Sequence, residues 1–232
     1  PVVLSYVVLT MDQLYLFINE DVIDGKAYPY LDNTDDTTTR EYLEGIGVTI
    51  RPYDKVYDMV EGLRNEKVLL EKSRVNYAIY RLLDSSNKII DKMNPTALMK
   101  CVKNDVEIEN EKKAHIKDGV AVTKFIYWLK KNIGKIPMDE LSVCEYMENL
   151  RKQQEGCLSP SFATISAYGA HGAMCHYSAT EETNIPLEPR GLYLIDSGGQ
   201  YYEGTTDITR TIALGPVTDE EKEHFKIGRA HV

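Results

Sequence analysis

The 232 residues of this chain allow one large domain or two ordinary ones, and 43% hydrophobic with 27% charged residues is typical of a globular protein. A net charge of −9 argues against a nucleic-acid partner, because phosphate backbones require a basic face. No apolar run approaches the ~20 residues of a membrane span, so we expect no membrane partner.

The first part of the chain alternates predicted strands and helices. Val2–Leu9 and Leu14–Ile18 predict a hairpin. Further helices are predicted near Thr38–Glu44, Tyr53–Leu63 and Asn76–Leu83, and strands at Val48–Arg51, Val68–Leu70 and Lys88–Asp91. This alternation is typical of an α/β domain, which we expect at residues 1–94 because Asn94-Pro95 breaks the pattern. The chain does not begin with Met and is expected to start inside a longer protein.

Two helices follow this boundary. Asp105–Asn132 is predicted to be helical, with Gly134 at the C-terminal cap. The apolar residues expected to face the core are Ile108, Ile116, Val120, Phe125, Trp128 and Leu129, with Trp128 in a packing role. Ser142 and Glu145 predict a capping box for a second helix that ends at Gly156.

Strands are predicted after Phe162, first at Thr164–Ala167 and Met174–Ser178. Two strand-like runs, Leu192–Ile195 and Ile208–Leu214, then carry Asp196 and Asp207, and the glycines between them permit a chain reversal. Helices followed by antiparallel strands indicate an α+β fold.

Asp196 and Asp207 are the candidate metal ligands. A hairpin register with Asp196 opposite Asp207 is available, with Cβ atoms about 4.5–5.5 Å apart. Carboxylates that close repel each other, and two divalent cations about 3.5–4 Å apart would turn the repulsion into a binding site. Thr209 shares a strand face with Asp207, from which it can hydrogen-bond a metal ligand. From spacing alone, an ordinary solvated turn remains the alternative.

The segments around both aspartates, Leu194-Ile-Asp-Ser-Gly-Gly-Gln-Tyr201 and Gly204-Thr-Thr-Asp-Ile-Thr-Arg-Thr211, resemble the metal-binding hairpin of aminopeptidase P. These enzymes are the Xaa-Pro aminopeptidases of the pita-bread metallopeptidase family M24. The resemblance extends upstream through Gly172-Ala-Met-Cys-His-Tyr177. It implies the N-terminal half of a pita-bread catalytic domain (residues 95–226), preceded by part of an α/β creatinase-like domain.

The resemblance also implies an activity, namely release of the N-terminal residue from peptides with proline in the second position. Two divalent metal ions would activate a water molecule for attack on the first peptide bond. Manganese is the metal that the resemblance suggests, while zinc and cobalt suit the same donors. A homodimer of the full-length protein is a further implication. The four cysteines contain no C-x-x-C pair, which favours a reducing, cytoplasmic location.

His176 is the candidate catalytic histidine. From the residues alone a structural histidine at a sheet edge is the favoured interpretation, and the resemblance reverses this, because the matching family histidine assists the peptide or the tetrahedral intermediate without binding metal. His171 would face the opposite side of a continuous strand from His176, so no joint metal site is expected. His115 lies among charged helix residues and is expected to be solvated.

The remaining family ligands, one histidine and two glutamates, come from strands after this hairpin, and only Gly215–Val232 follows it here. We therefore expect this chain alone to bind metal poorly and to hydrolyse nothing. Ile227-Gly-Arg-Ala-His-Val232 can be encoded by common sequencing-adapter DNA, so residues 227–232 are predicted to be a non-native tail, with an ordinary helix start as the alternative.

Two alternative functions stay open. One is another pita-bread hydrolase, either a methionine aminopeptidase or an Xaa-Pro dipeptidase; residues 1–94 favour the proline-specific branch, because methionine aminopeptidases lack such a domain. The other is a non-catalytic pita-bread protein that binds peptides or protein partners. Relatives of that kind tend to lose the metal aspartates, whereas Asp196 and Asp207 are both present.

Overall fold

A computed structural model describes residues 3–23 and 38–230 of the chain. It divides into two compact units, Pro1–Cys101 and Val102–Val232. The domain boundary predicted at Asn94–Pro95 remains a prediction. Within the described ranges, no helix is long and apolar enough to cross a lipid bilayer.

The first unit is built on a three-stranded sheet. Strands β1 (Ser5–Leu9) and β2 (Leu14–Ile18) form the predicted antiparallel hairpin, whose expected start at Val2 lies outside the described residues. β3 (Val48–Pro52) runs parallel to β2. The other elements are a 3-10 helix (Glu20–Val22), α1 (Thr39–Gly45), α2 (Lys55–Glu61), β4 (Lys67–Leu70), α3 (Tyr77–Leu82), β5 (Lys88–Asp91) and α4 (Pro95–Cys101).

The core of this unit lies between the sheet and its helices. Phe17 of β2 packs with Val56 and Val60 of α2 and with Ile79 of α3. β4 and β5 pair in parallel as a separate two-stranded sheet. The alternating α/β pattern predicted for this part of the chain is confirmed in the described residues.

The second unit begins with α5 (Asp105–Asn132), which has the predicted bounds. Asn104 caps it by accepting a hydrogen bond from the Glu107 N–H, and the Glu107 carboxylate accepts one from the Asn104 N–H. The chain leaves the helix at Gly134, whose φ of +73° glycine adopts without strain.

The predicted core face of α5 is only partly correct. Ile108, Ile116 and Val120 are exposed, and the buried residues of the helix are Ala114, Asp118, Ala121, Val122, Phe125 and Leu129. Apolar character alone does not identify the buried face of α5. Two small residues, Ala114 and Ala121, and Asp118, which is paired with Arg151, are buried there in place of the larger apolar residues. Trp128 has the predicted packing role, since its ring stacks on Tyr146 with centroids 3.7 Å apart. His115 is half exposed, as expected of a solvated residue.

Helix α6 (Glu140–Lys152) begins earlier than predicted. Asp139 caps it, since its carboxylate accepts a hydrogen bond from the Ser142 N–H at 2.7 Å and the Ser142 hydroxyl accepts one from the Asp139 N–H. The predicted capping box of Ser142 with Glu145 is therefore wrong. The predicted end at Gly156 is also wrong, because α6 ends at Lys152. Burial opposes ionisation of Asp139, but the hydrogen bonds from Ser142 outweigh it, and the pKa of Asp139 lies below its usual value.

The strands of this unit follow the two helices. β6 (Cys157–Pro160), β7 (Ile165–Tyr168), β8 (Leu192–Ser197), β9 (Gly199–Tyr201) and β10 (Ile208–Ala213) precede α7 (Asp219–Ala230). β8 is the central strand of an antiparallel sheet with β7 and β10 at its edges, and β6 pairs with β9. The buried core contains Tyr193, Ile195 and Ile212 from this sheet, together with side chains of α5 and α6.

The predicted strand at Met174–Ser178 does not form. A 3-10 helix spans Gly169–Ala173, and the chain after it is irregular. His176 has a φ of +55°, which no strand residue adopts. The expectation that His171 and His176 lie on opposite faces of one strand therefore loses its basis. Of the predicted tail, residues 227–230 belong to α7 and residues 231–232 lie outside the described chain, so its non-native origin stays a prediction.

Candidate metal and substrate site

Asp196 lies near the end of the central strand β8. Thr209 of β10 is directly opposite it, and Ile165 of β7 is opposite on the other side. The predicted register with Asp207 opposite Asp196 is therefore wrong. Asp207 precedes β10, because the chain after Ser197 leaves this sheet to form β9 against β6.

Asp207 lies two residues before Thr209, in the chain that leads into β10. Thr206 is buried, Asp207 is exposed, Ile208 is half-buried and Thr209 is exposed, so the chain already alternates before β10 begins. Thr209 faces Asp196 directly, and the same alternation continued back from β10 would put Asp207 on the Thr209 side.

Thr209 holds the Asp196 carboxylate. Its hydroxyl donates a hydrogen bond of 2.7 Å to Asp196 Oδ1. Asp196 itself is half-buried in the sheet. A hydrogen bond of this kind fixes the orientation of a potential metal ligand and lowers the entropy that metal binding has to remove.

The segment before Asp207 is tied to the start of β9. The Thr206 hydroxyl accepts a hydrogen bond from the Gly199 N–H at 2.8 Å, and the Thr206 N–H donates to the Gly199 carbonyl at 2.9 Å. Ser161 donates a further hydrogen bond to the Thr206 carbonyl oxygen. A side chain at Gly198 would overlap that same carbonyl, so the close approach requires glycine. These contacts position the chain immediately before Asp207. They could not be predicted from the spacing of the two aspartates in the sequence.

The two aspartates form a partial ligand set. Carboxylate oxygens suit manganese, zinc and cobalt alike. Within residues 3–23 and 38–230, no group of three or more His, Cys, Asp or Glu side chains is positioned to hold a metal ion. The donors present therefore fit a divalent cation but have to be supplemented by further ligands.

An apolar groove of about 400 Å³ lies beside these residues. It is lined by Ala167, Gly169, Gly172, Leu192, Leu194, Thr211 and Phe225. Leu194 and Thr211 are directly opposite each other in β8 and β10, two pairs along from Asp196 and Thr209 and therefore on the same face. The groove and Asp196 thus share one face of the sheet, and the opposite face packs on α5 and α6.

The loop after β7 carries His176, which is exposed. Its neighbour Tyr177 is buried, and the Tyr177 hydroxyl donates a hydrogen bond of 2.8 Å to Glu140. Burial raises the pKa of Tyr177, and the Glu140 carboxylate adds to the rise. His171 also contacts Glu140, with Nδ1 at 3.0 Å and 3.1 Å from the two carboxylate oxygens.

Glu140 is the residue that the sequence analysis missed. Its side chain is fully buried, although an acidic residue in the first turn of a helix is ordinarily a solvated partner of the helix dipole. It also accepts a hydrogen bond from the Tyr168 N–H at 2.7 Å. Its sequence signal was no stronger than that of many surface glutamates.

A second buried cluster supports the β9 side of the site. Arg151 of α6 forms a bidentate ion pair with Asp118 of α5, with both side chains almost fully buried. The Tyr201 hydroxyl of β9 donates to Asp118 at 3.0 Å, and burial together with this carboxylate raises the pKa of Tyr201. The cluster joins α5, α6 and β9, so it helps to hold the segment between Asp196 and Asp207.

Comparison with known proteins assigns the chain to a family. Residues 109–232 match the model of metallopeptidase family M24, and residues 1–107 match the creatinase/prolidase N-terminal domain. The fold and the site together define a class of protein in which an α/β unit precedes an α+β unit that carries two candidate metal-binding aspartates. The chain belongs to metallopeptidase family M24, and the expected resemblance and fold class are confirmed.

The relatives are aminopeptidases. Mouse Xaa-Pro aminopeptidase 2 is 37% identical over 227 residues, which cover 97% of this chain and 33% of that protein. Xaa-Pro aminopeptidase 1 of Dictyostelium discoideum is 36% identical over 239 residues, covering 100% of this chain and 36% of that protein. The chain thus spans about a third of the length of these curated relatives.

Solved structures agree with this assignment. The X-prolyl aminopeptidase of Caenorhabditis elegans, described as a cytosolic enzyme with a di-nuclear active site, superposes with a TM-score of 0.78 at 26% identity. The match covers 95% of this chain and 35% of that one. The prolidase of Pyrococcus horikoshii superposes with a TM-score of 0.68 at 25% identity, covering 96% of this chain and 58% of that one.

Proposed function

We propose that the protein to which this chain belongs is a dinuclear-metal aminopeptidase that releases the N-terminal residue from peptides with proline in the second position. The observation that carries this proposal is the 2.7 Å hydrogen bond from the Thr209 hydroxyl to Asp196, two residues after the exposed Asp207. The family assignment and the names of the relatives support it.

Asp196 and Asp207 hold two divalent metal ions in this proposal, manganese by preference and zinc or cobalt as compatible substitutes. When bound, such a pair supplies Lewis-acid activation of water and of the scissile carbonyl. The remaining ligands come from parts of the protein other than the described residues. Thr209 keeps Asp196 oriented, as its 2.7 Å hydrogen bond indicates.

His176 contacts the peptide substrate or the tetrahedral intermediate. Its side chain is exposed and does not pack in the core. A histidine can donate or accept a proton near neutral pH. His171 has a different task, because its Nδ1 donates to the buried Glu140 carboxylate.

The wider setting is also a proposal. We place the protein in the cytoplasm, because its four cysteines are free thiols and one structural neighbour is a cytosolic enzyme. Residues 1–94 form the creatinase-like domain and residues 95–226 the first half of the peptidase domain, with residues 227–232 a non-native tail. The proposed non-native origin of residues 227–232 would be refuted if the nucleotide record showed codons that differ from the adapter sequence. A homodimer of the full-length protein is the proposed assembly.

An Xaa-Pro dipeptidase is the second candidate, and the superposition with the Pyrococcus horikoshii prolidase favours it over other hydrolases. Substrate length separates the two candidates. An aminopeptidase cleaves an Xaa-Pro-Xaa tripeptide readily, whereas a dipeptidase prefers the Xaa-Pro dipeptide. A non-catalytic binding protein would cleave neither.

The experiment uses a chain that extends this sequence to the length of its relatives, purified with manganese. We expect release of the first residue from an Xaa-Pro-Xaa tripeptide, lost in Asp207→Asn and retained in Asp219→Asn. Asp219 is a matched control, since it is an exposed aspartate in α7 paired with Lys222. Equal activity of the two variants, or no cleavage by the unaltered chain, would refute the proposal.

A further inference from the structure

The Glu140 carboxylate has three hydrogen-bond donors, and all of them come from one segment that runs from the end of β7 into the following loop. They are the N–H of Tyr168 at 2.7 Å, the Nδ1–H of His171 at 3.0 Å and the O–H of Tyr177 at 2.8 Å. The Glu140 side chain is 0% exposed, so water cannot replace any of them without opening the structure. A buried carboxylate is tolerated only when it is fully hydrogen-bonded, and the loop of residues 168–177 is therefore closed around this one group.

His176 lies inside this closed loop with an unfavourable backbone conformation. Its φ of +55° is uncommon for a residue with a Cβ and persists only where the surrounding structure imposes it. The next residue, Tyr177, has its hydroxyl fixed by Glu140, and its ring packs against the His171 ring with centroids 4.6 Å apart. The loop is thus held on both sides of His176.

The loop also borders the apolar groove. Gly169 and Gly172, which line the groove, lie between Tyr168 and His176 and belong to the 3-10 helix that contains His171. A change at the anchoring Glu140 that moves this 3-10 helix would therefore alter both the wall of the groove and the position of His176. Glu140 itself belongs to α6 and is part of the rigid core of the unit.

We propose that Glu140 is a positioning residue, which acts through His171 and Tyr177 to hold His176 in the backbone conformation from which its imidazole meets the substrate. The inference rests on the proposed function, in which His176 contacts the peptide. It adds a residue from the first turn of α6, outside the loop and the strands of the site, to those that set the activity.

Two variants and a matched control test this inference. Glu140→Gln keeps the size of the side chain but leaves one acceptor oxygen for three donors. Tyr177→Phe removes only one donor and retains the ring, so it serves if Glu140→Gln fails to fold. Tyr193→Phe is the control, because it removes a buried tyrosine hydroxyl that bonds to Ser166 at 2.8 Å; Ser166 donates to the Glu140 backbone carbonyl, so this variant perturbs the surroundings of Glu140 without removing a donor to its carboxylate.

The first readout needs no activity. In the 232-residue chain with isotope-labelled histidines, we expect Tyr177→Phe and Glu140→Gln to shift the ring signals of His176 and to accelerate amide exchange at His176 at least tenfold. Tyr193→Phe should leave both unchanged, and His115 serves as an internal reference. Unchanged His176 signals in the two folded variants, or an equal effect of Tyr193→Phe, would overturn the proposal.

The second readout is kinetic, in the extended chain that cleaves Xaa-Pro peptides. We expect Tyr177→Phe to lower kcat about tenfold with little change in KM, and to have almost no further effect in a His176→Ala background, since misplacing a catalytic group by about 1 Å costs up to 10²-fold. Additive losses would show that Glu140 and Tyr177 act independently of His176. If the unaltered extended chain cleaves no peptide, the proposed function fails, while the histidine signals still decide whether Glu140 positions His176.

Discussion

Thr209 donates a hydrogen bond of 2.7 Å to Asp196 across the ladder of β8 and β10, and the two residues are direct partners in the strand register. This contact fixes one carboxylate of the candidate metal site before any cation binds. Asp207, the other proposed metal ligand, lies two residues before Thr209 in the chain.

Removal of the Thr209 hydroxyl should weaken metal binding. In the extended chain, Thr209→Val keeps the shape of the side chain but loses the hydrogen bond, and we expect a 10–100-fold lower affinity for manganese, about the effect of losing a partner of a metal ligand. Thr211→Val is the control, since Thr211 is on the same face opposite Leu194. Calorimetric titration measures both, and equal affinities of the two variants would contradict the role of Thr209.

Gly198 should tolerate no side chain. A Cβ there overlaps the Thr206 carbonyl oxygen, so we expect Gly198→Ala to lower the free energy of unfolding by about 1–3 kcal/mol. Gly119→Ala is the matched control, because its Cβ would meet nothing within 4 Å and alanine in a helix interior stabilises by about 0.5–1 kcal/mol relative to glycine. Urea unfolding compares the two, and a neutral Gly198→Ala would show that the chain before Asp207 is not tightly held.

The buried ion pair of Asp118 and Arg151 should contribute strongly to stability. Asp118→Asn leaves the guanidinium unpaired in the core, and we expect a loss of about 3–5 kcal/mol in the free energy of unfolding. Glu109→Gln on the same helix breaks an exposed pair with Lys112 and should have a much smaller effect on stability. If chemical denaturation gives similar values for both variants, the buried pair is not the support inferred for β9.

Cys144 should react slowly with alkylating reagents. Burial, together with the nearby Glu148 carboxylate, raises the pKa of its thiol to about 11. The folded pKa is above the unfolded value of 9.0, so the stability contributed by the neutral thiol is complete below pH 9 and is lost as the pH rises towards 11. Iodoacetamide labelling followed by mass spectrometry should modify the exposed Cys175 well before Cys144 at pH 8, and the reverse order would contradict this burial.

Local signals were sufficient to predict α5 with its bounds. Asn104 and Glu107 form a capping box, Gly134 ends the helix, and these determinants lie within a few residues of the helix ends. The hairpin of β1 and β2 was predictable for the same reason. The pairing of β8 with β10 was likewise predictable, because both strands lie in a short stretch of sequence.

Long-range contacts explain the expectations that failed. Apolar and aromatic residues favour a strand at Met174–Ser178, but the buried Glu140 carboxylate, distant in sequence, holds this segment as a loop. Asp196 was placed opposite Asp207 because β9 was not anticipated; its pairing with β6 takes residues out of the turn and changes the register. Neither contact leaves a periodic pattern in the sequence.

Metal content of the extended chain tests the central claim most directly. After equilibration with manganese and removal of free metal, elemental analysis should find two equivalents per chain in the unaltered protein and in Asp219→Asn, and a loss of bound metal in both Asp196→Asn and Asp207→Asn. Two equivalents retained in each of these two variants would contradict the assignment of the aspartates as metal ligands.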